Sequence, residues 1–337
     1  MKPKIKILDI FYGGRCQLAC AQCDTRSDTI RKGEFDPTVE SIKEGILLAK
    51  NKFDIEIFSL LGGEPLLYKD KIKDILEFIR SIDKETLIFL PTNGELIGKN
   101  IDFLSEILTE YKILLMVSDH FKLFENQKRS LEIKKSINIL AQNIGVINID
   151  NNVFWTEIMY QRPDDDGWKN YWEELKNYKN PNYSAKDNKV LSSTTDNTLW
   201  WNGQYGIFLH DQTSHLQHYY YRETKPKPFN SLDINKSYFG NCPSCYCTFM
   251  LDKKLYKCAA LGTLTQFLNK HESLDDPDWA KFLSYKNLDL TKCTDEDIEN
   301  FSVSKYKPIT ECSMCPSNSN EIFLKEKNVL PIKIYKK

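Results

Sequence analysis

Three cysteines close to the amino terminus constrain this chain more than any other feature. They stand at Cys16, Cys20 and Cys23, which is a C-x3-C-x2-C spacing. The apolar run from Ile5 to Tyr12 comes just before them and predicts a first β-strand that opens into a loop. Such a loop can wrap three thiolates around one four-iron cluster and leave one iron without a protein ligand. Structural zinc sites usually close with four ligands in paired C-x2-C units, so the spacing favours an open iron–sulfur site over zinc.

Two further motifs follow strand-like runs. The first comes after the run from Ile55 to Leu61 and consists of Gly62, Gly63, Glu64 and Pro65. The second is the stretch from Pro91 to Gly94, which contains Asn93 and ends a run that begins at Leu87. Glycine has no side chain and lets a backbone approach a ligand closely, and the carboxylate at position 64 can bind an ammonium group.

Together the three motifs resemble the radical SAM (S-adenosylmethionine) superfamily over roughly residues 1–150. The resemblance implies that Cys16, Cys20 and Cys23 hold a [4Fe–4S] cluster whose open iron binds the methionyl amino and carboxylate groups of SAM. It also implies that the Gly-Gly-Glu-Pro stretch lies beside that amino group. Relatives carry an aromatic residue before the third cysteine, where this chain has Gln22. Further SAM contacts are expected at Asn93, Ser118 and Arg129.

Strand-like and helical runs alternate at short spacing up to about residue 149, which predicts a parallel sheet. Asp36 and Pro37 are expected to cap the first long helix. All three motifs lie at the carboxyl ends of predicted strands, where the loops of such a sheet line a common mouth. The resemblance implies an α/β fold, a partial (β/α)6 barrel open on one side. We expect the barrel over residues 1–230 and a small C-terminal cysteine-rich auxiliary-cluster domain over residues 231–337.

An aromatic-rich insertion is expected at about residues 160–225. Its rings suit a substrate cleft, and they equally suit the packing of an irregular segment. The histidines around it are candidates for a metal site or for packing, and no carboxylate pattern supports the metal site. They are His210, His215 and His218. His120, which follows the predicted strand ending at Ser118, is either a proton donor near the mouth or a packing residue.

The remaining cysteines lie in the C-terminal region, at Cys242, Cys245, Cys247, Cys258, Cys293, Cys312 and Cys315. The segment from Cys247 to Cys258 predicts a β-hairpin with Asp252 and Lys253 at its turn. This hairpin and the C-x2-C turn at Cys312 and Cys315 can supply four thiolates to one cluster or one zinc. The arrangement resembles the twitch and SPASM auxiliary-cluster modules, and the shorter, twitch-like module with one [4Fe–4S] cluster is expected. The first ligand stays open between Cys242, Cys245 and Cys247, and Cys293 is not expected to be a ligand.

Charge and composition narrow the range of partners. The net charge of −1 provides no field for nucleic acid or for an anionic membrane. No signal peptide is recognised, and no apolar run is long enough to span a bilayer. Ten cysteines without such a signal are typical of metal ligands in a reducing cytoplasm, where we expect the protein.

The expected function is reductive cleavage of SAM to a 5′-deoxyadenosyl radical, which takes a hydrogen atom from a substrate. A peptide or protein side chain or a small molecule is the expected substrate, and flavodoxin or ferredoxin the expected electron donor. The run from Cys23 to Thr25, with the other two motifs, also resembles the 7-carboxy-7-deazaguanine synthases, which rearrange a pterin with SAM and magnesium. An alternative of another class is a non-catalytic metal protein that binds a partner.

Overall fold

The computed structural model describes residues 2–18, 20, 23–30, 33, 35–120, 127–149, 198–202, 204–210, 220–222, 225–235, 237 and 247–316. The chain divides into two compact units. The first consists of Met1–Leu67 and Ser214–Lys337, and the second of Tyr68–Thr213. No helix among the described residues is both long enough and apolar enough to cross a bilayer.

The regular elements of both units follow in chain order. The strands are β1 Lys4–Phe11, β2 Asp54–Leu61, β3 Leu87–Thr92, β4 Ile113–Ser118, β5 Ile147–Ile149, β6 Thr198–Trp201, β7 Gly206–His210, β8 Tyr220–Arg222, β9 Lys225–Lys227, β10 Cys247–Leu251, β11 Lys254–Tyr256 and β12 Leu288–Asp289. The α-helices are α1 Ser27–Ile30, α2 Val39–Lys52, α3 Lys69–Ile82, α4 Ile101–Tyr111, α5 Gln127–Ile144, α6 Ala259–Gly262, α7 Leu264–Lys270, α8 Ala280–Leu283 and α9 Asp295–Lys305. Short 3-10 helices span Pro65–Leu67, Ile97–Lys99, Pro277–Trp279 and Thr310–Met314.

In the first unit the strand order is β12-β11-β10-β1-β2. Both β2 and β10 run parallel to β1, while β11 and β12 continue the sheet antiparallel. All residues of β1 except Lys4 are buried, as expected of a strand covered on both faces. The predicted hairpin is confirmed, and Asp252 and Lys253 form its turn with positive φ values of 47° and 62°. The hairpin therefore adds to the edge of the amino-terminal sheet.

In the second unit the strand order is β3-β4-β7-β6-β5. The first three strands are parallel, in agreement with the sequence prediction. The prediction is wrong for β5, which was expected in the parallel sheet and pairs antiparallel with β6, itself antiparallel to β7. β6 and β7 are antiparallel because only a short loop joins them, and parallel neighbours need a long crossover. Trp200 and Trp201 on β6 are buried, so these two aromatic residues pack in the core of this unit.

Apolar periodicity explains where the helices pack. On α3, Ile72, Ile75, Leu76 and Ile79 are fully buried along one face. The expected cap of α2 is wrong by two residues: Thr38 is the N-cap, and its hydroxyl accepts a hydrogen bond from the Ser41 N–H at 3.1 Å. Asp36 instead accepts a hydrogen bond from the Gly14 N–H at 2.7 Å. The carboxylate that was expected to start the helix therefore holds the loop that carries the cysteines.

Candidate active site

The loop that follows β1, residues 12–26, is called the cysteine loop, and residues 62–64 after β2 are called the glycine loop. Backbone hydrogen bonds join the two loops. The Gly63 N–H donates to the Gly13 carbonyl at 2.8 Å, and the Glu64 N–H donates to the Arg15 carbonyl at 2.8 Å. The Tyr12 hydroxyl donates to the Gly63 carbonyl at 2.9 Å. The start of the cysteine loop is therefore fixed to the end of β2.

The glycine pair is required by this packing. A Cβ atom on Gly62 would lie 2.5 Å from the Gly13 carbonyl oxygen, and one on Gly63 would lie 2.0 Å from the Arg15 carbonyl oxygen. Real Cβ atoms essentially never approach backbone so closely. The sequence predicted a close approach of this backbone to a ligand, and the structure shows a close approach to the cysteine loop.

Of the three amino-terminal cysteines, Cys20 is buried, while Cys16 and Cys23 are partly buried. The Cys23 N–H donates to the Cys20 carbonyl at 3.2 Å, which makes a turn between these two residues. The Cys23 sulfur lies 3.3 Å from the Thr25 hydroxyl, which also donates to the Gly62 carbonyl at 3.1 Å. Thr25, which sequence reasoning named only as part of a motif, therefore links the last cysteine to the glycine loop. Gln22 lies outside the described residues.

Glu64 is completely buried, and its carboxylate accepts a hydrogen bond from the Leu66 N–H at 3.3 Å. This bond starts the 3-10 helix that begins at Pro65. A second buried carboxylate, Asp9, lies on β1 opposite Ser59 of β2. Burial raises the pKa of Asp9 to about 6, and hydrogen bonds to Ser59 and Cys247 act in the opposite direction. The Cys247 side chain is therefore held against β1.

In the second unit, the predicted contacts Asn93, Ser118 and Arg129 lie near the carboxyl ends of β3 and β4. The Asn93 side chain accepts a hydrogen bond from the Glu95 N–H at 3.1 Å, and Arg129 forms an ion pair with Glu95 at 3.1 Å. Ser118 ends β4, and its carbonyl accepts a hydrogen bond from the His120 N–H at 3.1 Å. Here the predicted residues are brought to one edge of the sheet.

Asp119 is a buried carboxylate at this edge that the sequence analysis did not name. It accepts a short hydrogen bond from the Ser130 hydroxyl on α5. His120, next to it, is buried as well. An acidic residue directly after a strand that ends in serine was the signal that could have identified this carboxylate.

The C-terminal cysteines other than Cys247 fall into three groups. Cys242 and Cys245 lie outside the described residues, as do His215 and His218 and the side chain of His210. Cys293 lines a cleft of about 800 Å³ together with Asn300 and Phe301. Cys258 packs against an apolar cluster that contains Phe267, Trp279 and Met314, and Cys312 and Cys315 flank Met314 in the chain.

Burial raises the pKa of the Cys258 thiol to about 11, and it also raises the pKa of Cys312. The Leu261 N–H and the positive charges of Lys257 and Arg26 act in the opposite direction on Cys258. The charge of Lys257 is itself buried, and its ammonium group donates to the carbonyls of Ser304, Lys305 and Lys307. Neither Lys257 nor Arg26 was identified from the sequence, because nothing in the local sequence pattern marks these side chains as buried.

Within the described part of the chain, no three His, Cys, Asp or Glu side chains surround a point as the ligands of a single ion do. A four-iron cluster receives each thiolate at a different iron, so its three cysteines need not meet at one point. The donor chemistry of Cys16, Cys20 and Cys23 fits such a cluster, and the loop that carries them is anchored by backbone hydrogen bonds to the glycine loop.

The family comparison covers the amino-terminal part of the chain. Residues 10–122 match the family model described as the Radical SAM superfamily, and they include all three amino-terminal motifs. The 7-carboxy-7-deazaguanine synthase of Methanocaldococcus jannaschii is 32% identical over 139 residues, which are 37% of this chain and 56% of that protein. The enzyme of the same name from Methanothermobacter thermautotrophicus is 32% identical over 140 residues, which are 40% of this chain and 52% of that protein. The chain thus spans about half the length of these curated relatives.

Proposed function

We propose, on the premise that residues 10–122 form a radical SAM superfamily domain, that this chain cleaves S-adenosylmethionine reductively and removes a hydrogen atom from a substrate. The observation that supports it best is the set of hydrogen bonds between the cysteine loop and the glycine loop. When bound, the [4Fe–4S] cluster and SAM would supply a 5′-deoxyadenosyl radical, with methionine as the second product. Each radical requires one electron from an external donor.

The residues of this chain supply binding and position. Cys16, Cys20 and Cys23 would hold the [4Fe–4S] cluster, and this motif of three cysteines would leave one iron for the amino and carboxylate groups of SAM. The Glu64 N–H donates to the Arg15 carbonyl of the cysteine loop, and its buried carboxylate is proposed to bind the methionyl amino group of SAM. In the second unit, Asn93, Ser118 and Arg129 are proposed to contact SAM.

Replacing Cys16, Cys20 and Cys23 together by alanine is expected to abolish 5′-deoxyadenosine formation, because no thiolate remains to hold the cluster. The amount of 5′-deoxyadenosine formed is measured by chromatography after anaerobic incubation with SAM and dithionite. The matched control is Cys293→Ala, which should retain activity because Cys293 is not an expected cluster ligand. Its side chain lines a cleft with Asn300 and Phe301. Formation of 5′-deoxyadenosine by the triple variant would contradict the proposal.

We further propose that the C-terminal cysteines hold an auxiliary [4Fe–4S] cluster that accepts the electron left on the substrate, so that the net reaction is an oxidation. Peptide or protein side chains and small molecules are the proposed substrates, and flavodoxin or ferredoxin the proposed donor. Two clusters predict about eight irons per chain, whereas a single cluster predicts about four. Zinc in the C-terminal site would refute the auxiliary cluster.

A second candidate function is the ring rearrangement of a pterin, as the name of the two relatives suggests. The observation in its favour is the Cys23-Asp24-Thr25 run, whose threonine hydroxyl bridges the last cysteine and the Gly62 carbonyl. Magnesium-dependent turnover of a pterin would support it. If the reduced protein shows no change in its paramagnetic spectrum when SAM is added, both enzymatic proposals fail and a non-catalytic metal protein is favoured.

A further inference from the structure

Arg26 belongs to the cysteine loop and is inserted into the core near the C-terminal cysteines. It follows Cys23 by three positions, and it is completely buried. Its guanidinium carbon lies 4.3 Å from the centre of the Phe267 ring, and Nη2 lies 3.9 Å from the Met314 sulfur. Its backbone has a positive φ of 54°, a conformation that is unfavourable for a non-glycine residue. A long charged side chain therefore occupies a buried and strained position.

The groups that Arg26 contacts belong to an apolar cluster against which one of the C-terminal cysteines packs. Phe267 and Met314 belong to the apolar cluster against which Cys258 packs. Met314 stands between Cys312 and Cys315 in the chain. Cys258 is close enough to both Cys312 and Arg26 to interact with them electrostatically. The guanidinium and these thiols thus share one small region of the first unit.

The thiols in this region already accept hydrogen bonds from the backbone. The Ile309 N–H donates to the Cys312 sulfur at 3.5 Å. The Leu261 N–H makes the corresponding bond to Cys258. Such N–H donors stabilise sulfur that carries negative charge, and they tune the potential of iron–sulfur clusters.

The C-x2-C turn is itself held from a second side. The Phe229 N–H donates to the Met314 carbonyl at 3.1 Å, and the Ser231 N–H donates to the Ser313 carbonyl at 2.8 Å. The Ser237 hydroxyl donates to the Cys315 carbonyl at 3.1 Å. The backbone that presents Cys312 and Cys315 is therefore held in place by hydrogen bonds from its neighbours.

We propose that Arg26 is a positioning residue whose buried charge stabilises an anionic iron–sulfur cluster held by Cys258, Cys312 and Cys315. The inference rests on the proposed auxiliary cluster, and it adds the source of the compensating charge. Opposite charges attract strongly where water is excluded, and a thiolate cluster carries net negative charge. Because the charge of Arg26 favours the more negative, reduced state of the cluster, it raises the reduction potential.

The test uses the full chain with Cys16, Cys20 and Cys23 replaced by alanine, so that any cluster measured is the C-terminal one. Arg26→Met and Arg26→Lys are introduced into this parent. After anaerobic reconstitution with iron and sulfide, iron retention against a chelator and the midpoint potential are measured. We expect Arg26→Met to retain iron about tenfold less well and to have a more negative potential. Arg26→Lys should lie close to the parent, since it keeps the charge.

The matched control is Arg80→Met in the same parent. Arg80 is a partly buried arginine of the second unit that donates to the carbonyls of Tyr111, Thr86 and Lys112. We expect this control to keep the iron and the potential of the parent. Equal potentials in the Arg26→Met variant and the parent would overturn the inference, and so would equal losses of iron in the Arg26→Met and Arg80→Met variants. A parent that binds no iron would overturn it as well, while SAM cleavage by the unmodified chain would still stand or fall by its own test.

Discussion

Gly63 shows how little space separates the glycine loop from the cysteine loop. The atom that a side chain would meet is the Arg15 carbonyl oxygen, which is backbone and cannot turn aside. Gly145 is a useful contrast, because it has a positive φ of 68° and nothing lies within 4 Å of the Cβ position. Glycine is required at position 63 because a Cβ atom would overlap the backbone of the cysteine loop. At position 145 it is favoured only because the backbone has a positive φ.

We therefore expect Gly63→Ala to destabilise the apo-protein by about 3 kcal/mol and to impair iron binding at the amino-terminal cysteines. Gly145→Ala should cost about 1 kcal/mol and leave iron binding unchanged. Urea denaturation and iron analysis measure the two effects. Normal iron content and stability in the Gly63→Ala variant would contradict the close packing of these loops.

A second residue-scale prediction concerns His271, whose ring centre lies 4.7 Å from that of Phe267. Burial lowers the pKa of His271, and the positive charges of Arg26 and Lys270 lower it further. The unfolded chain therefore binds a proton more readily than the folded chain, so the free energy of unfolding should fall as the pH drops below about 6.5. The loss should be less than about 1 kcal/mol, since water screens a half-exposed ring. Denaturation at pH 7.5 and 5.5 tests this, and His271→Gln should reduce the difference.

At the scale of single elements, the end of α9 depends on a side chain from outside the helix. The last carbonyl groups of a helix lack partners within it. Lys257, which follows β11, donates to three carbonyls at this end and is almost completely buried. A cation at a helix C-terminus also interacts favourably with the helix dipole. One lysine thus ties the hairpin segment to α9.

Replacing Lys257 by methionine should lower the free energy of unfolding by about 2–4 kcal/mol, because several carbonyls lose a charged donor at once. Lys253→Met is the matched control on the same hairpin. Its ion pair with Glu44 lies at the surface, so the control should cost less than about 1 kcal/mol. Chemical denaturation compares the two variants, and equal effects would show that the buried bonds add no stability.

At the scale of the whole molecule, two segments far apart in the sequence meet in one sheet. The hairpin strand β10 pairs in parallel with β1, with Ile7 opposite Cys247 and Ile10 opposite Met250. Without this pairing, one edge of β1 would have unpaired backbone groups. The C-terminal segment therefore completes the sheet on which the cysteine loop stands.

A chain that ends at residue 246 should consequently be insoluble or aggregate, since β1 would become an exposed apolar edge strand. A chain that ends at residue 316 keeps β10 and every later described element, and it should stay soluble. Expression followed by size-exclusion chromatography compares the two. A soluble, monomeric chain that ends at residue 246 would mean that β10 is dispensable for the sheet.

The sequence alone determined the features that depend on local pattern. Motif spacing indicated the radical SAM superfamily over roughly residues 1–150, where the family model matches residues 10–122. The sequence pattern also predicted a strand that ends at Ser118 and the hairpin turn at Asp252. Tertiary structure alone decided the contacts between residues far apart in the chain. It made Asp36 a partner of Gly14, placed Arg26 against Phe267, and set β10 beside β1. The reason is physical: spacing and periodicity report on neighbours along the chain, whereas a buried charge or a strand pairing depends on which distant segments fold against each other.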